Sequence, residues 1–446
     1  MIVYSNAKDI VEESIRQLKW ENQSAMLDVR DEALDYYTFN NTAKYIDQYF
    51  AGSLQQEIPI YNVNLTKKLI NRISLVYKDA PIRDVENDSY YELTQDKDWR
   101  MKSFERIHNL LGTVAIHIAW EDGKFKYNPV MNFVPIMDPY DPLKPIGVTY
   151  PLNKATGDWR QTKEDIFVYW SAEEHYMFDS AGSIIKVNED NINPYGVLPF
   201  VECFKDGRPE YSYLDTSPAN DIIATNLEVN VSETNSNANT MFQSFGYMYV
   251  NGSQVEKDTL EVGQDKISFL GIDGTMNIVS PPNTVDALAS SVEHSYKLLA
   301  QNYHLNISFV DGTAAQSGVA IRLRNQELQD ARLSDVIRWK GIENKLFDLE
   351  SIILGVEAGI NTGTIEKIDY GESIEVLSYK EQIEKWTWEL ANKLIDEADI
   401  LMQQDPDRYP DRETAKEYLA ERSGIVETEE GESGDTLLAA LTKPVE

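Results

Sequence analysis

Side chains able to do covalent chemistry are few and scattered in this 446-residue chain. Its five histidines, His108, His117, His175, His294 and His304, include no pair at metal-ligand spacing. His117 alternates with Ile116 and Ile118, so it is expected to point away from their face, towards solvent or a hydrogen bond. The only cysteine, Cys203, sits in the largely apolar run Leu198 to Phe204 and reads as a buried, inert thiol. A lone cysteine makes no intramolecular disulfide, so stability must come from packing, and synthesis in a reducing compartment is expected. The chain has no G-x-x-x-x-G-K-[ST] phosphate loop, no G-x-G-x-x-G after a strand, no G-x-S-x-G elbow and no H-E-x-x-H. Neighbouring acids such as Glu121 with Asp122, Glu173 with Glu174 and Glu429 with Glu430 describe an acidic surface, not an acid–base pair. The expectation is a non-enzymatic protein with no metal and no cofactor.

Two stretches have a physical reason to act without making bonds. The loop Asn306 to Ser317 holds Asp311, Gly312, Thr313, Ala314, Ala315, Gln316 and Ser317: small, polar and flexible, as a segment that changes conformation would be. Read plainly, it is a surface connection whose Ser317 caps the helix that follows. The second is the basic start of that helix, Arg322, Arg324 and Arg332, expected to pair with Glu327, Asp330 and Asp335 at helical spacing or across a subunit boundary.

The helix itself organises the chain. From Gly318 no proline occurs for more than forty residues, and apolar side chains recur at Leu328, Ala331, Val336, Trp339, Ile342, Leu346, Leu349, Ile353 and Val356, in steps of mostly three and four. A helix from Gly318 to Ala358 would be about 60 Å long, too long for one small core to cover. Gly341 and Gly355 lie inside it, each costing about 1 kcal/mol relative to alanine; Gly341 marks either a kink or a break between two helices.

Other elements follow from the same periodicities. Residues 5 to 37 read as one or two helices, and Val63 to Tyr77 as another, stopped by Asp79 to Pro81. From Leu111 to Phe204 the period falls to two. Strands are expected around Val114 to Ile118, Phe125 to Tyr127, Asn132 to Met137, Gly147 to Tyr150, Ile166 to Trp170, His175 to Phe178 and Ser183 to Val187, with Asp122–Gly123 as a hairpin turn. A helix opens near Pro218, with Ser217 as its cap. Its continuation through Ser232 to Thr240, rich in Asn235, Asn237 and Asn239, reads equally as loop or helix. Short strands are expected at Tyr247 to Val250, Lys266 to Leu270 and Met276 to Val279. Val285 to Tyr303 reads as a helix, Ile365 to Ile374 as a strand or extended segment, Tyr379 to Gln404 as one helix and Arg412 to Arg422 as a last one.

Composition narrows the partners. With 42% hydrophobic residues the chain has enough apolar material for a folded core. A net charge of −33 argues against gripping nucleic acid over a broad basic face, yet leaves room for a protein that surrounds DNA and must let it slide. The start of the chain carries Asp9, Glu12 and Glu13 where a signal peptide would be basic, and no run is apolar enough to span a bilayer, so a soluble protein without membrane contact is expected.

Taken in order, five short patterns resemble the portal proteins of tailed bacteriophages, of the kind found in long-tailed phages of Gram-positive hosts. They are Ala33-Leu34-Asp35-Tyr36-Tyr37, Asn62 to Pro81, Asn109 to Asp138 with Gly112 and a Pro135-to-Asp138 close, Asn193 to Phe200, and Ser317-Gly318-Val319-Ala320-Ile321 at the start of the long helix. The resemblance covers about residues 25 to 400. It implies an α+β ring subunit with an α/β wing, a two-helix stem, a small β-containing clip, a long kinked helix and a helical crown. On that reading 1–216 is the first part of the wing, 217–245 and 284–305 are stem helices, and 246–283 is the clip. Residues 306–317 become the tunnel loop, 318–378 the long wing helix with its following strand, 379–423 the crown and 424–446 a mobile acidic tail.

Several roles follow from the resemblance alone. Asn306, Asp311, Gly312, Thr313, Ala314, Gln316 and Ser317 would line a DNA channel. Gly318, Arg322, Arg324, Arg332 and Gly341 would form the start and kink of the long helix. Tyr247, Tyr249, Lys266, Phe269 and Met276 would meet the terminase or adaptor. The family forms a homo-oligomeric ring, usually dodecameric, at one capsid vertex of the virion after synthesis in the host cytoplasm. It works with the terminase large subunit, major capsid and scaffolding proteins and head-completion proteins, and passes double-stranded DNA without reading its sequence during packaging and ejection. The shorter chain here, with its reduced crown and no basic tail, departs from the pattern where a crown would touch packaged DNA. The rival readings are another virion ring component, such as an adaptor or baseplate protein, and a cytosolic acidic enzyme. Chain size and the clip-like insert tell against the adaptor, and the empty motif search against the enzyme.

Overall fold

The computed structural model describes residues 7–18, 21–50, 58–87, 89–138, 140–141, 144–152, 166–179, 181–185, 187, 190–205, 214, 218–245, 247–251, 274–279, 283–305, 318–371, 379–405 and 408–426. They fall in two compact units, the larger formed by Met1–Ala314 with Leu323–Glu372, the smaller by Ala315–Arg322 with Ser373–Glu446.

In the larger unit, the helical period of residues 5 to 37 becomes two helices, α1 (Ala7–Leu18) and α2 (Glu21–Thr38), followed by one turn, α3 (Ala43–Asp47). The pattern from Val63 yields α4 (Leu65–Ile73), shorter than expected at both ends. Asn64 caps its start, taking the Lys67 N–H at 2.9 Å. It stops because Ser74 turns extended, and the next residues find other partners: the Val76 and Tyr77 N–H groups go to the Glu105 carboxylate at 2.8 and 3.0 Å. Both side chains stay buried, so the apolar period runs past the helix it seemed to define.

Strand β1 (Ile82–Val85), the short α5 (Ser89–Leu93) and α6 (Lys97–Leu111) follow. Sequence reading missed α6, whose buried Lys97, Glu105, His108 and Asn109 interrupt the apolar stripe. Gly112, with φ +76°, closes it by returning its N–H to the His108 carbonyl at 2.8 Å. Next come β2 (Thr113–Glu121) and β3 (Lys124–Val130), joined where expected by Asp122 and Gly123. Both have positive φ, 52° and 75°, the geometry that matches the strands' own twist.

The remaining strands of this region are β4 (Val134–Met137), β5 (Pro145–Pro151), β6 (Ile166–Ser171), β7 (His175–Asp179), β8 (Ile184–Ile185) and β9 (Phe200–Phe204). They make an antiparallel five-stranded meander, β4-β5-β6-β7-β8, and an antiparallel sheet ordered β3-β2-β9. His117 does leave the face of Ile116 and Ile118, but not for water. It is half-buried, stacked on Phe200 at 4.7 Å with Trp170 at 5.4 Å, and burial together with His175 pushes it down to about 4. Cys203 is buried, which raises its thiol's pKa and keeps it protonated.

Helix α7 (Asn220–Phe245) continues through Ser232 to Thr240, so the asparagine-rich stretch is helical; Ser217 lies outside the described residues. Strands β10 (Tyr247–Asn251) and β11 (Thr275–Val279) pair antiparallel, and α8 (Val285–Asn302) runs back along α7. Its direction is fixed by three contacts: Asn239 to Thr284 at 2.6 Å, Ser295 to Glu228 at 3.0 Å, and the Tyr303 hydroxyl to Asp221 at 2.5 Å. The long helix α9 (Gly318–Glu357) is one uninterrupted element through Gly341, and β12 (Ile365–Asp369) pairs antiparallel with β1.

In the smaller unit, the single helix expected over Tyr379 to Gln404 is two, α10 (Tyr379–Ala391) and α11 (Glu397–Gln404), followed by α12 (Arg412–Val426). Lys393 adopts φ +58°, and Asp396 and Asp399 cap each other's N–H groups at 3.0 and 2.9 Å, so the second helix starts afresh. Ala398, Leu401, Tyr409 and Ala415 form its core.

Candidate functional site

Two helices of the larger unit carry buried polar side chains that hold their surroundings by different chemistry. On α9 the apolar stripe of Trp339, Ile342, Leu346, Ile353 and Leu354 is buried as its spacing predicts. Interleaved with it, two turns apart, are Glu343 and Glu350, both 0% exposed. Sequence reading missed this pair. The signal was two carboxylates seven residues apart on the buried face, one between Ile342 and Leu346 and the other between Leu349 and Ile353.

Isolated carboxylates there would be untenable, since an unpaired buried charge costs several kcal/mol. Arg83 of β1 answers the first, bidentate, with Nη2 to Oε1 at 2.7 Å and Nε to Oε2 at 3.1 Å; its Nη1 reaches Asp98 at 2.6 Å. The Tyr77 hydroxyl donates to Glu343 at 2.8 Å and lies 2.9 Å from the Tyr370 hydroxyl. Lys97 of α6 stands between the two acids, 3.1 Å from Glu343 and 2.8 Å from Glu350. Glu350 also accepts from Tyr90 at 2.7 Å and Tyr127 at 2.6 Å.

The electrostatic consequence is clear for Glu343. Burial alone would raise it, but Lys97 and then Arg83, helped by hydrogen bonds from Arg83 and Tyr77, outweigh burial and hold the carboxyl at about 2. The same pairing raises Arg83 and Lys97 against burial, so both stay charged. Glu105, which faces backbone N–H groups instead of a buried cation, is pushed by burial up to about 7.

The expected Arg332 pairing takes another form. Its guanidinium donates to three carbonyls, Leu75 at 3.1 Å, Tyr370 at 2.9 Å and Gly371 at 3.2 Å, while Asp335 pairs with Arg338 at 2.7 Å. Arg332 at the Leu75 carbonyl, Glu105 at the Val76 and Tyr77 N–H groups and Glu343 at the Tyr77 hydroxyl thus hold residues 75–77.

The second arrangement is neutral. Asn226, Asn230 and Thr234, one turn apart on α7 and all essentially buried, face residues 61–66, the lead-in and first residues of α4. Asn226 Oδ1 takes the Leu65 and Thr66 N–H groups at 2.6 and 3.0 Å, Asn230 takes Val63 N–H at 3.0 Å, and Thr234 takes Tyr61 N–H at 3.0 Å. Both amides return an N–H to the Val63 carbonyl at 3.2 Å. Leu65 and Thr66 open α4, so Asn226 satisfies helix-start donors that its own chain neighbours cannot. An asparagine in a helix reads from sequence as a poor helix former, and only the facing segment reveals its use.

The remaining residues singled out from the sequence fall in several places. Asn306, Asp311, Gly312, Thr313, Ala314, Gln316 and Ser317 lie outside the described residues, as do Lys266 and Phe269. Gly318 opens α9 and Arg322 and Arg324 lie in its first two turns; Tyr247 and Tyr249 lie on β10, and Met276 on β11 is 37% exposed. Gly341 faces open space: a Cβ there would meet nothing within 4 Å. Among the described residues no group of three or more His, Cys, Asp or Glu could hold a metal ion, and no helix is long and apolar enough to cross a membrane.

No protein-family model matches the chain, and no curated protein matches it. Among solved structures it is similar to a chain of the virion of a native gene transfer agent particle, at 12% identity and TM-score 0.41, with 81% of this chain and 92% of that one covered. It is also similar to a chain of the neck of an empty particle of that agent, computed with C6 symmetry, at 12% identity and TM-score 0.39, with 78% and 91% covered.

Proposed function

We propose that this protein is a virion structural subunit that assembles, as a homo-oligomeric and dodecameric ring, into the portal through which double-stranded DNA enters and leaves a capsid. One observation carries the reading: an antiparallel helix pair, α7 and α8, encloses a two-stranded hairpin and is followed closely by a 40-residue helix. A helix pair with a hairpin at its end is the shape of a stem bearing a clip. The pinned segment 336–354 of α9 suits a wing that must stay rigid while DNA moves past it.

Under this reading residues 217–245 and 284–305 are the stem, 246–283 the clip that meets the terminase and then the head-completion proteins, and 306–317 the loop that narrows the channel. The wing comprises 1–216 and 318–378, and 379–423 form the crown. The net charge of −33 favours passage over capture, because a wall that binds few phosphates leaves DNA free to slide. Energy for packaging would come from the separate terminase, consistent with a chain carrying no phosphate-loop motif.

A packaging assay tests the loop assignment directly. Deleting 311–315 is expected to leave ring assembly intact and to lower the yield of DNA-filled particles. Filled particles at the native yield from such rings would remove the channel role of this segment.

A further inference from the structure

The outer face of α9 is built for a partner that the described residues do not supply. Ile337, Ile352 and Val356 are 75%, 39% and 51% exposed, although each would favour burial. Gly341 opens onto nothing within 4 Å, so its cost to the helix, about 1 kcal/mol, is offset by no packing among the described residues. Lys345 and Asp348 lie between these positions, both exposed. All six share one side of the helix, at steps of four, four, three, four and four residues.

Their spacing reads the same from either end. In two antiparallel helices, the residue facing a given position falls by four as that position rises by four. Laid against a second copy of itself about a two-fold axis, α9 sets Ile337 against Val356 of the second copy, Gly341 against Ile352, and Lys345 against Asp348. The two-fold repeats each contact: two apolar pairs at the ends, two isoleucines entering two glycine gaps, and two opposite-charge pairs at the centre, over about 30 Å. Apolar meets apolar, large meets small, and cation meets anion throughout.

We propose that this face of α9 is a self-complementary, two-fold contact between two copies of this chain. The contact does not depend on the ring reading. Successive subunits of a cyclic ring carry their long helices in the same sense, so an antiparallel contact joins two free copies or copies from two different rings.

The central charges provide the test, because both side chains are exposed. Sedimentation velocity would follow the native chain, Lys345→Asp, Asp348→Lys, the two single variants mixed, and the double variant. The native chain is expected to show a concentration-dependent species of twice its 50.9 kDa mass. Each single swap opposes like charges twice and should weaken that species about tenfold or more. Mixing the two single variants, or combining both swaps in one chain, should restore it, since opposite charges again face each other. Ile352→Arg, which blocks the glycine gap, should abolish it. A native chain with no such species at about 100 µM, well above what a specific contact needs, would overturn the proposal. Single swaps that associate like the native chain, or a mixture that restores nothing, would do so as well. Ring formation, if it occurs, should be indifferent to all four variants.

Discussion

Helices α9 and α7 both bury polar side chains against the larger unit, and they do it in opposite ways. On α9 two buried carboxylates are matched by Arg83 and Lys97, with four tyrosine hydroxyls around them and Asp98 on the outer side of Arg83. On α7 two amides and a hydroxyl take the backbone N–H groups of Tyr61, Val63, Leu65 and Thr66, and the amides return to the Val63 carbonyl. The ionic arrangement depends on every member, because removing one leaves a charge stranded. The neutral one loses only the hydrogen bonds of the side chain removed. Buried ion pairs also add little net stability when intact, so the α9 set is better understood as fixing which face of the helix points inward.

The contrast can be broken most severely at Glu343. Glu343→Leu should lower unfolding free energy by about 3–5 kcal/mol in urea titrations, because Arg83 and Lys97 lose a buried partner. Replacing the neighbouring buried Leu346 by alanine controls for packing loss, with an expected cost of about 2–5 kcal/mol and no change in pH dependence.

Acid provides a second, slightly smaller break. Glu343 is held at about 2 in the folded chain against 4.5 as its ordinary value. Its contribution is therefore present above pH 4.5 and lost as pH falls through the folded value, roughly 3 kcal/mol in all. Glu105 has the opposite sign: with its folded value near 7, stability declines as pH rises from 4.5 to 7. Melting curves from pH 2 to 8 should show both trends, and Glu105→Gln should flatten the second.

On the neutral side, Asn226→Leu should cost about 1–3 kcal/mol with no pH dependence, since it strands the Leu65 and Thr66 N–H groups in the interior. The smallest effect is expected at Gly341→Ala, a gain of up to about 1 kcal/mol, because the position is helical and open. A loss there would mean that the helix needs a bend at this point.

Much of this frame is legible in the sequence, and the failures share a cause. The bounds of α9 follow to within a residue from the absence of proline and the recurrence of apolar side chains, and the Asp122–Gly123 turn follows from backbone chemistry alone. Periodicity fails where polar residues go inside. Lys97, Glu105 and His108 hide α6, and Glu343 and Glu350 pass as surface acids in a chain with 74 acidic residues. Asn226 and Asn230 pass as weak helix formers. In each case the partner lies far away in sequence, so no local window holds the reason. The Asp396–Asp399 capping box is local, but the apolar period on either side of it masks the break between α10 and α11.

The claim that this chain is a ring-forming conduit is met most directly by the mass and symmetry of the purified protein, measured by native mass spectrometry with negative-stain class averages. The account predicts closed rings of about twelve copies with a central opening. A compact 50.9 kDa monomer that persists at high protein concentration would contradict it.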